Sequence, residues 1–242
     1  MFSIFKKELN TFLSSLIAYL VIIIFLTAVG LFVWVFPETN VLDYGFADLG
    51  TLFSLSPYIF MFLIPAITMR TFAEEKKAGT MELLLTKPLT DWDIILGKYF
   101  SSLVLVIVAL LPTLMYYYTV YQLGNPRGNV DSAGVFGSYI GLVLLGAVFT
   151  AIGTFASSIS ENQIVSFIIA VFLCFLLYAG ISSLATLEVW GGSAYEVSRL
   201  GLDYQYNALS KGLIDSRNVL YFISIIFVML SATRLVLGSR QW

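Results

Sequence analysis

Six long apolar runs, each separated from the next by a short polar stretch, set the rhythm of this 242-residue chain. They cover approximately residues 15–36, 52–72, 99–121, 135–157, 164–187 and 219–237. A helix crosses about 30 Å of hydrocarbon with about 20 apolar residues, and there every backbone polar group must find its partner inside the segment. The pattern therefore predicts six transmembrane helices in an all-α polytopic membrane protein, organised as a single transmembrane domain over residues 1–242. Lys6 and Lys7 precede the first run as they would in a signal peptide. Its apolar stretch is too long, however, and no small-residue cleavage site follows "FVWVFPETN", so it reads as an uncleaved span.

Smaller patterns sit between and within the runs. In "MFSIFKKELNTF" the apolar Phe2, Phe5, Leu9 and Phe12 fall on one helical face with Lys6 and Lys7 opposite, which predicts an interfacial helix. On the fourth run Gly137, Gly141, Ala147 and Ala151 form a small-residue face suited to close helix packing, with packing inside the chain as the default. Pro57, Pro65 and Pro112 permit kinks in the second and third spans. Between the last two runs, residues 188–217 mix Val197, Leu200, Leu202, Tyr206, Leu209 and Leu213 with charges, which predicts short amphipathic helices dipping into the interface rather than a free loop.

Composition removes several function classes. Apolar residues make up 59% of the chain and charged ones 12%, against roughly 45–50% and 25% in a soluble domain. The net charge of −2 points to no nucleic-acid partner, and the lipid bilayer is the surface this chain must meet. Cys174 is the one cysteine and histidine is absent, so no disulfide frame or metal cluster is expected, and the commonest general base is missing. No catalytic, cofactor or metal-ligating set is expected, and the spans hold too few ionisable groups for a proton relay or an ion filter. Where the bases lie matters more than their sum. Lys6, Lys7, Arg70, Lys76, Lys77, Lys87, Lys98, Arg234 and Arg240 fall on one side of the six-span plan; Arg127, Arg199, Lys211 and Arg217 fall on the other. Nine against four predicts that both termini and the connection between spans two and three are cytoplasmic.

That connection, "AEEKKAGTMELLLTKPLTDWDIILGKY" (73–99), is the most charged passage of the chain. Thr80 can cap a short helix over 80–87, Pro88 stops it, and Thr90 with Asp93 repeats the capping pattern before the third span. Met81, Leu83, Leu84 and Leu85 present more apolar surface than one membrane-facing stripe uses. Either the short helix lies on the membrane surface or something else covers it. Glu74, Glu75 and Glu82 have no base four residues on, which weakens the reading of a self-paired solvated face. In "SSISENQ", Glu161 has no nearby base, whereas Asn162 suits a tight polar turn.

The passage resembles the E-x-x-x-G-T-x-E-x-L-L-x-x-P…G-K signature of ABC-2 type transporter permeases, carried here by Glu75, Gly79, Thr80, Glu82, Leu84, Leu85, Pro88, Gly97 and Lys98. "GTFASSISENQIVSF" (153–167) and "LGLDYQYNALSKGLIDSRNVLYF" (200–222) resemble the same family, so the likeness covers nearly the whole chain. Within it the chain is most similar to the gliding-motility-associated permease subunit of Bacteroidetes, and next to the permease of copper-enzyme maturation transporters. The resemblance implies a multi-pass protein of the bacterial inner membrane and makes residues 79–88 a coupling helix, or handle, for a separate cytoplasmic ABC ATPase, itself a dimer. It implies that Glu74, Glu75 and Glu82 offer charge to that ATPase while Leu83, Leu84 and Leu85 bury apolar area, with Glu161 and Asn162 as a second contact. It further implies an outer re-entrant segment through Leu200, Leu202, Tyr206, Leu209 and Leu213. The chain has no G-x-x-x-x-G-K-[ST] loop, so any nucleotide hydrolysis belongs to another chain. Six spans are half of such a transporter; the implied other half is a second permease or an auxiliary membrane protein with a large extracytoplasmic domain. A non-transporting membrane scaffold is the competing function class.

Overall fold

The computed structural model describes residues 1–43, 45–81, 89–187, 193–212 and 214–239. Among them every regular element is a helix, with no strand. An amphipathic helix α1 (Phe2–Leu13) leads into α2 (Leu16–Trp34). Next come α3 (Gly50–Thr68) and the short α4 (Ala73–Lys77). Helix α5 (Asp91–Leu110) passes through a 3-10 turn at Leu111–Thr113 into α6 (Leu114–Leu123). Helix α7 (Ser132–Ile159) is followed by α8 (Gln163–Phe175), a π-helical turn at Leu176–Gly180 and α9 (Ile181–Ala185). The last part holds α10 (Ala194–Ser198), α11 (Leu202–Leu209) and α12 (Ser216–Gly238). Six stretches are long and apolar enough to cross a membrane: Leu16–Trp34, Gly50–Lys77, Asp91–Leu123, Ser132–Ile159, Gln163–Ala185 and Ser216–Gly238. The chain is a polytopic all-α membrane protein.

The third of these starts eight residues before the apolar run does. Thr90 and Asp93 close a capping box there: the Thr90 hydroxyl accepts from the Asp93 amide at 3.2 Å, and Asp93 Oδ2 accepts from the Thr90 amide at 3.2 Å. With those donors satisfied the helix can start in the polar layer and carry Lys98 into the protein. The prolines differ in effect. Pro57 and Pro65 lie within an unbroken α3, while Pro112 sits in the 3-10 turn between α5 and α6.

Helix α7 is the centre of the bundle. In its most apolar window 72% of residues are buried, against 17% in α12 and 22% in the fifth span, which therefore lie at the periphery. It packs against α3, α5, α8, α11 and α12. Glycines permit this: a Cβ at Gly146 would meet Val106 Cγ1 at 2.8 Å, and one at Gly153 would fall inside Thr68 Oγ1. Threonines buried in the spans return their hydroxyls to their own helices, Thr150 to Gly146 O at 2.7 Å and Thr154 to Thr150 O at 2.7 Å. With their donors used in this way such groups cost little in the bilayer.

Two expectations about surface helices change. On α1 the buried residues are Ile4, Glu8 and Phe12, while Phe2 is 75% exposed. The face is turned because Gly97 of α5 leaves room for Ile4, whose Cγ2 would lie 2.9 Å from a Cβ there, and because Lys98 draws Glu8 inward. Helix α11 keeps its apolar face on the protein, with Leu202, Tyr206 and Leu209 buried. It lies on the small-residue face of α7, where a Cβ at Gly141 would meet Tyr206 Cδ2 at 2.9 Å and one at Gly137 would collide with Leu209 O.

Replacing Gly153 by leucine should destabilise the protein by about 2 kcal/mol or more, because overpacking must push α3 from α7. Gly238→Ala, in open space, should stay within about 0.5 kcal/mol of the parent. Thermal unfolding in detergent compares the two.

Candidate functional site

The charged residues of the passage after α3 gather at one end of the bundle, hereafter the handle end, where α1, α4, the start of α5 and the last turn of α12 meet. An apolar floor of Ile4, Phe72, Met81, Ile94, Ile95, Tyr99, Ala151, Leu230 and Leu237 forms first. Met81 is 3% exposed, so the residue that opens the predicted short helix is anchored in this floor. Glu82, Leu83, Leu84, Leu85 and Pro88 lie outside the described residues.

Helix α4 is held at both ends. At its start the Ser157 hydroxyl of α7 accepts from the amides of Phe72 at 2.9 Å and Ala73 at 3.1 Å, and donates to Met69 O at 2.9 Å. One serine thus meets the orphan backbone groups where α3 breaks. At the other end Gly79 takes φ +65°; its amide bonds Lys76 O at 3.1 Å and the Thr80 amide bonds Glu75 O at 3.0 Å. These two bonds define a Schellman stop, which requires a left-handed residue that glycine supplies without strain. Gly79 and Thr80 of the signature therefore have a structural use here. Lys76 Nζ reaches Ser158 O, tying α4 to the end of α7.

Between α1, α4 and α5 four charges close a ring. Lys98 Nζ meets Glu8 Oε1 at 3.1 Å, Glu8 Oε1 meets Lys7 Nζ at 3.3 Å, Lys7 Nζ meets Glu75 Oε1 at 3.1 Å, and Glu75 Oε2 returns to Lys98 Nζ at 2.9 Å. The last contact is an ion pair without the alignment of a hydrogen bond. Lys98 is 1% exposed and also donates to Thr71 O at 2.6 Å, with the Phe72 ring centroid 5.2 Å away. An isolated ammonium could not be buried so far; two carboxylates, a carbonyl and an aromatic face make it possible. At the outer edge Lys7 is 57% exposed. Burial lowers its pKa, but Glu8 and Glu75 outweigh that effect and hold it above its ordinary value. Its pairing therefore contributes below that value and fades only as pH rises through it, far into the alkaline range.

Glu75 is thus turned inward, committed to Lys98 and Lys7 rather than offered outward as expected. Its partners are 23 and 68 residues away, beyond the reach of any i,i+4 argument. Glu74 and Glu161 are exposed. Asn162 caps α8, its Oδ1 accepting from the Ile164 amide at 2.9 Å. A cleft of about 360 Å³ lined by Lys7, Arg70, Glu74, Thr80 and Lys98 opens beside the ring. The Arg70 guanidinium stacks on Phe12, 5.1 Å from its ring centroid. No local pattern in the sequence marks Glu8, Thr71 or Ser157; Gly97-Lys98 at the end of the signature is the one pointer to them.

At the far end Leu202, Tyr206 and Leu209 are buried, Leu200 is 56% exposed and Leu213 lies outside the described residues. Tyr206 donates to Phe53 O of α3 at 2.8 Å, and Ser182 of α9 donates to Asp203. Ala147 O accepts from Tyr99 OH at 3.3 Å, and Ala151 belongs to the handle-end floor. The small-residue face thus meets α11 at one end and α5 nearer the other, all within the chain.

A family profile described as ABC-2 family transporter protein matches residues 2–191. A search of curated proteins finds no match.

Lys98→Met should cost about 3 kcal/mol or more, because it removes the buried cation and leaves two carboxylates facing each other with only the half-exposed Lys7 between them. Glu8→Gln and Glu75→Gln added to it should restore most of the loss. Unfolding in detergent with tryptophan fluorescence measures both.

Proposed function

This chain belongs to the ABC-2 family of transporter proteins, and from that premise we propose that it is a permease subunit whose residues 79–88 are the handle through which a separate ABC ATPase drives it. Membership makes the chain a multi-pass membrane component of an ABC transporter. The observation that carries the handle reading is the construction of its root. Ser157, the Schellman stop at Gly79, buried Met81 and the four-charge ring fix the approach to residues 82–88 on every side, although α4 itself has only 5 residues. A segment that only rested on lipid would need no such root.

The excess of bases at the handle end supports a cytoplasmic location for it and for both termini, in the bacterial inner membrane. Exposed Glu74 and Glu161, together with Glu82 and the apolar Leu83, Leu84 and Leu85, are the groups proposed to meet the ATPase, with Pro88 ending the segment. Glu75 serves this contact by holding the root. At the far end the buried α11 supports a closure of the outer side. Thr150 and Thr154 of the central span return their hydroxyls to their own backbone, and the spans hold few charges to offer a polar cargo, which favours a force-transmitting machine over a carrier of charged solutes. Resemblance of residues 72–100, 153–167 and 200–222 supports a link to gliding motility, with an auxiliary membrane protein as the other half. A copper-enzyme-maturation exporter has weaker support.

Leu84→Asp with Leu85→Asp should abolish co-purification of a co-expressed cognate ABC ATPase, since an unpaired charge in an apolar contact costs several kcal/mol. The permease should still insert and unfold at its usual temperature. Full ATPase binding and permease-dependent ATP turnover in the double variant would refute the handle; ATPase binding with no permease-dependent turnover in the parent would favour a scaffold.

A further inference from the structure

The ring at the handle end poses an energetic question. A buried ion pair is a poor device for stability, because desolvation offsets most of its attraction and apolar residues of similar volume often do as well. The neighbouring floor of Ile4, Ile94, Ile95 and Met81 already fastens α1 to α5 by apolar contact. What charges add is a fixed partner for each carboxylate and each ammonium.

The covalent connections on either side of the ring are short. Glu75 lies four residues before Gly79, with only the hydrogen-bonded stop between them, so a displacement of the handle reaches Glu75 almost undiminished. Glu8 and Lys7 lie on α1, which passes through Ser14 and Ser15 alone into the first span. Lys98 lies within the third span itself. One ammonium therefore joins the handle root to the first and third spans, while Thr71 O ties it to the end of the second.

We propose that Lys98 is a positioning residue for coupling: through the ring it fixes the handle root to α1, so that α1 moves with the handle as one body. The proposal rests on the reading of residues 79–88 as the ATPase's handle. Lys98 touches neither nucleotide nor cargo, and its effect is on the efficiency with which ATP turnover moves the membrane helices.

The test uses the full permease, co-expressed with its cognate ABC ATPase and reconstituted in vesicles. The variant Glu8→Gln, Glu75→Gln, Lys98→Met removes the ring without stranding a buried charge. Spin labels at Asn10 on α1 and Lys77 on α4, both exposed, go into a background with Cys174 replaced. In the parent the distance between the labels should be narrowly distributed and unchanged between the nucleotide-free and ATP-trapped states. In the triple variant ATPase affinity should hold while permease-stimulated turnover falls about tenfold, within the usual range of coupling energies, and the distance distribution broadens. Lys98→Arg should keep most of the turnover, which a merely space-filling role would not require. Parental turnover and a narrow distance in the triple variant would overturn the proposal, as would a nucleotide-dependent distance in the parent. Should the triple variant fail to insert, Glu75→Gln removes the carboxylate of the handle root from both ammoniums while Glu8 and Thr71 O still partner Lys98: broadening with reduced turnover supports the proposal, and an unchanged protein contradicts it. Failure of the parent to bind the ATPase at all would instead sink the handle reading, and is seen in the binding readout alone.

Discussion

A lysine ammonium buried at the edge of a membrane bundle must be surrounded by acceptors, and much of the handle end follows from meeting that demand at Lys98. Glu8 must come inward, which rotates α1. Glu75 must come inward too, which sets α4 across the end of the bundle. The carbonyl of Thr71 must point back, which places the break between α3 and α4 where Ser157 can satisfy the freed amides. Gly97, the residue before the lysine, leaves the space into which α1 settles. The closing Gly-Lys of the signature and its opening glutamate are thus two halves of one contact.

The same economy governs the membrane interior. Thr150 and Thr154 bond within α7 and glycines bring backbones together, so α7 is packed on most sides by its own chain. What remains available lies at the two ends. At one, a braced root leads into the handle; at the other, α11 is locked to α3 by Tyr206 and to α9 by Asp203. An arrangement of stiff, mutually packed helices between two ends suits the transmission of movement, which an ATPase can drive only by contacting the handle differently in its two states.

Much of this was legible in the sequence. The six apolar runs specify six spans because hydrocarbon leaves the backbone few choices, and Thr90 with Asp93 announces the start of the third. The glycines of the fourth run mark its packing face. The ring was not legible, because Glu8, Glu75 and Lys98 stand 67 and 23 residues apart and no local rule links them. Counting bases puts Lys98 on the cytoplasmic side and says nothing of its depth, whereas the capped start of α5 carries Lys98 into the protein. The face of α1 was misjudged for the same reason: periodicity weighs apolar residues, and here a glutamate decides the rotation. Leucines set among polar residues point α11 to the interface, and only the glycines of α7 show that the protein itself covers Leu202, Tyr206 and Leu209.

The central claim is that the handle end is where the ATPase engages, on a root the chain has already braced. Photo-crosslinking in intact cells addresses it most directly, with a benzophenone side chain placed in turn at Lys77 and Glu161 at the handle end and at Phe46 at the far end, all exposed. The account predicts adducts with the co-expressed ABC ATPase from Lys77 and Glu161 and none from Phe46. Adducts from Phe46, or none from either handle-end position in a complex that still turns over ATP, would contradict it.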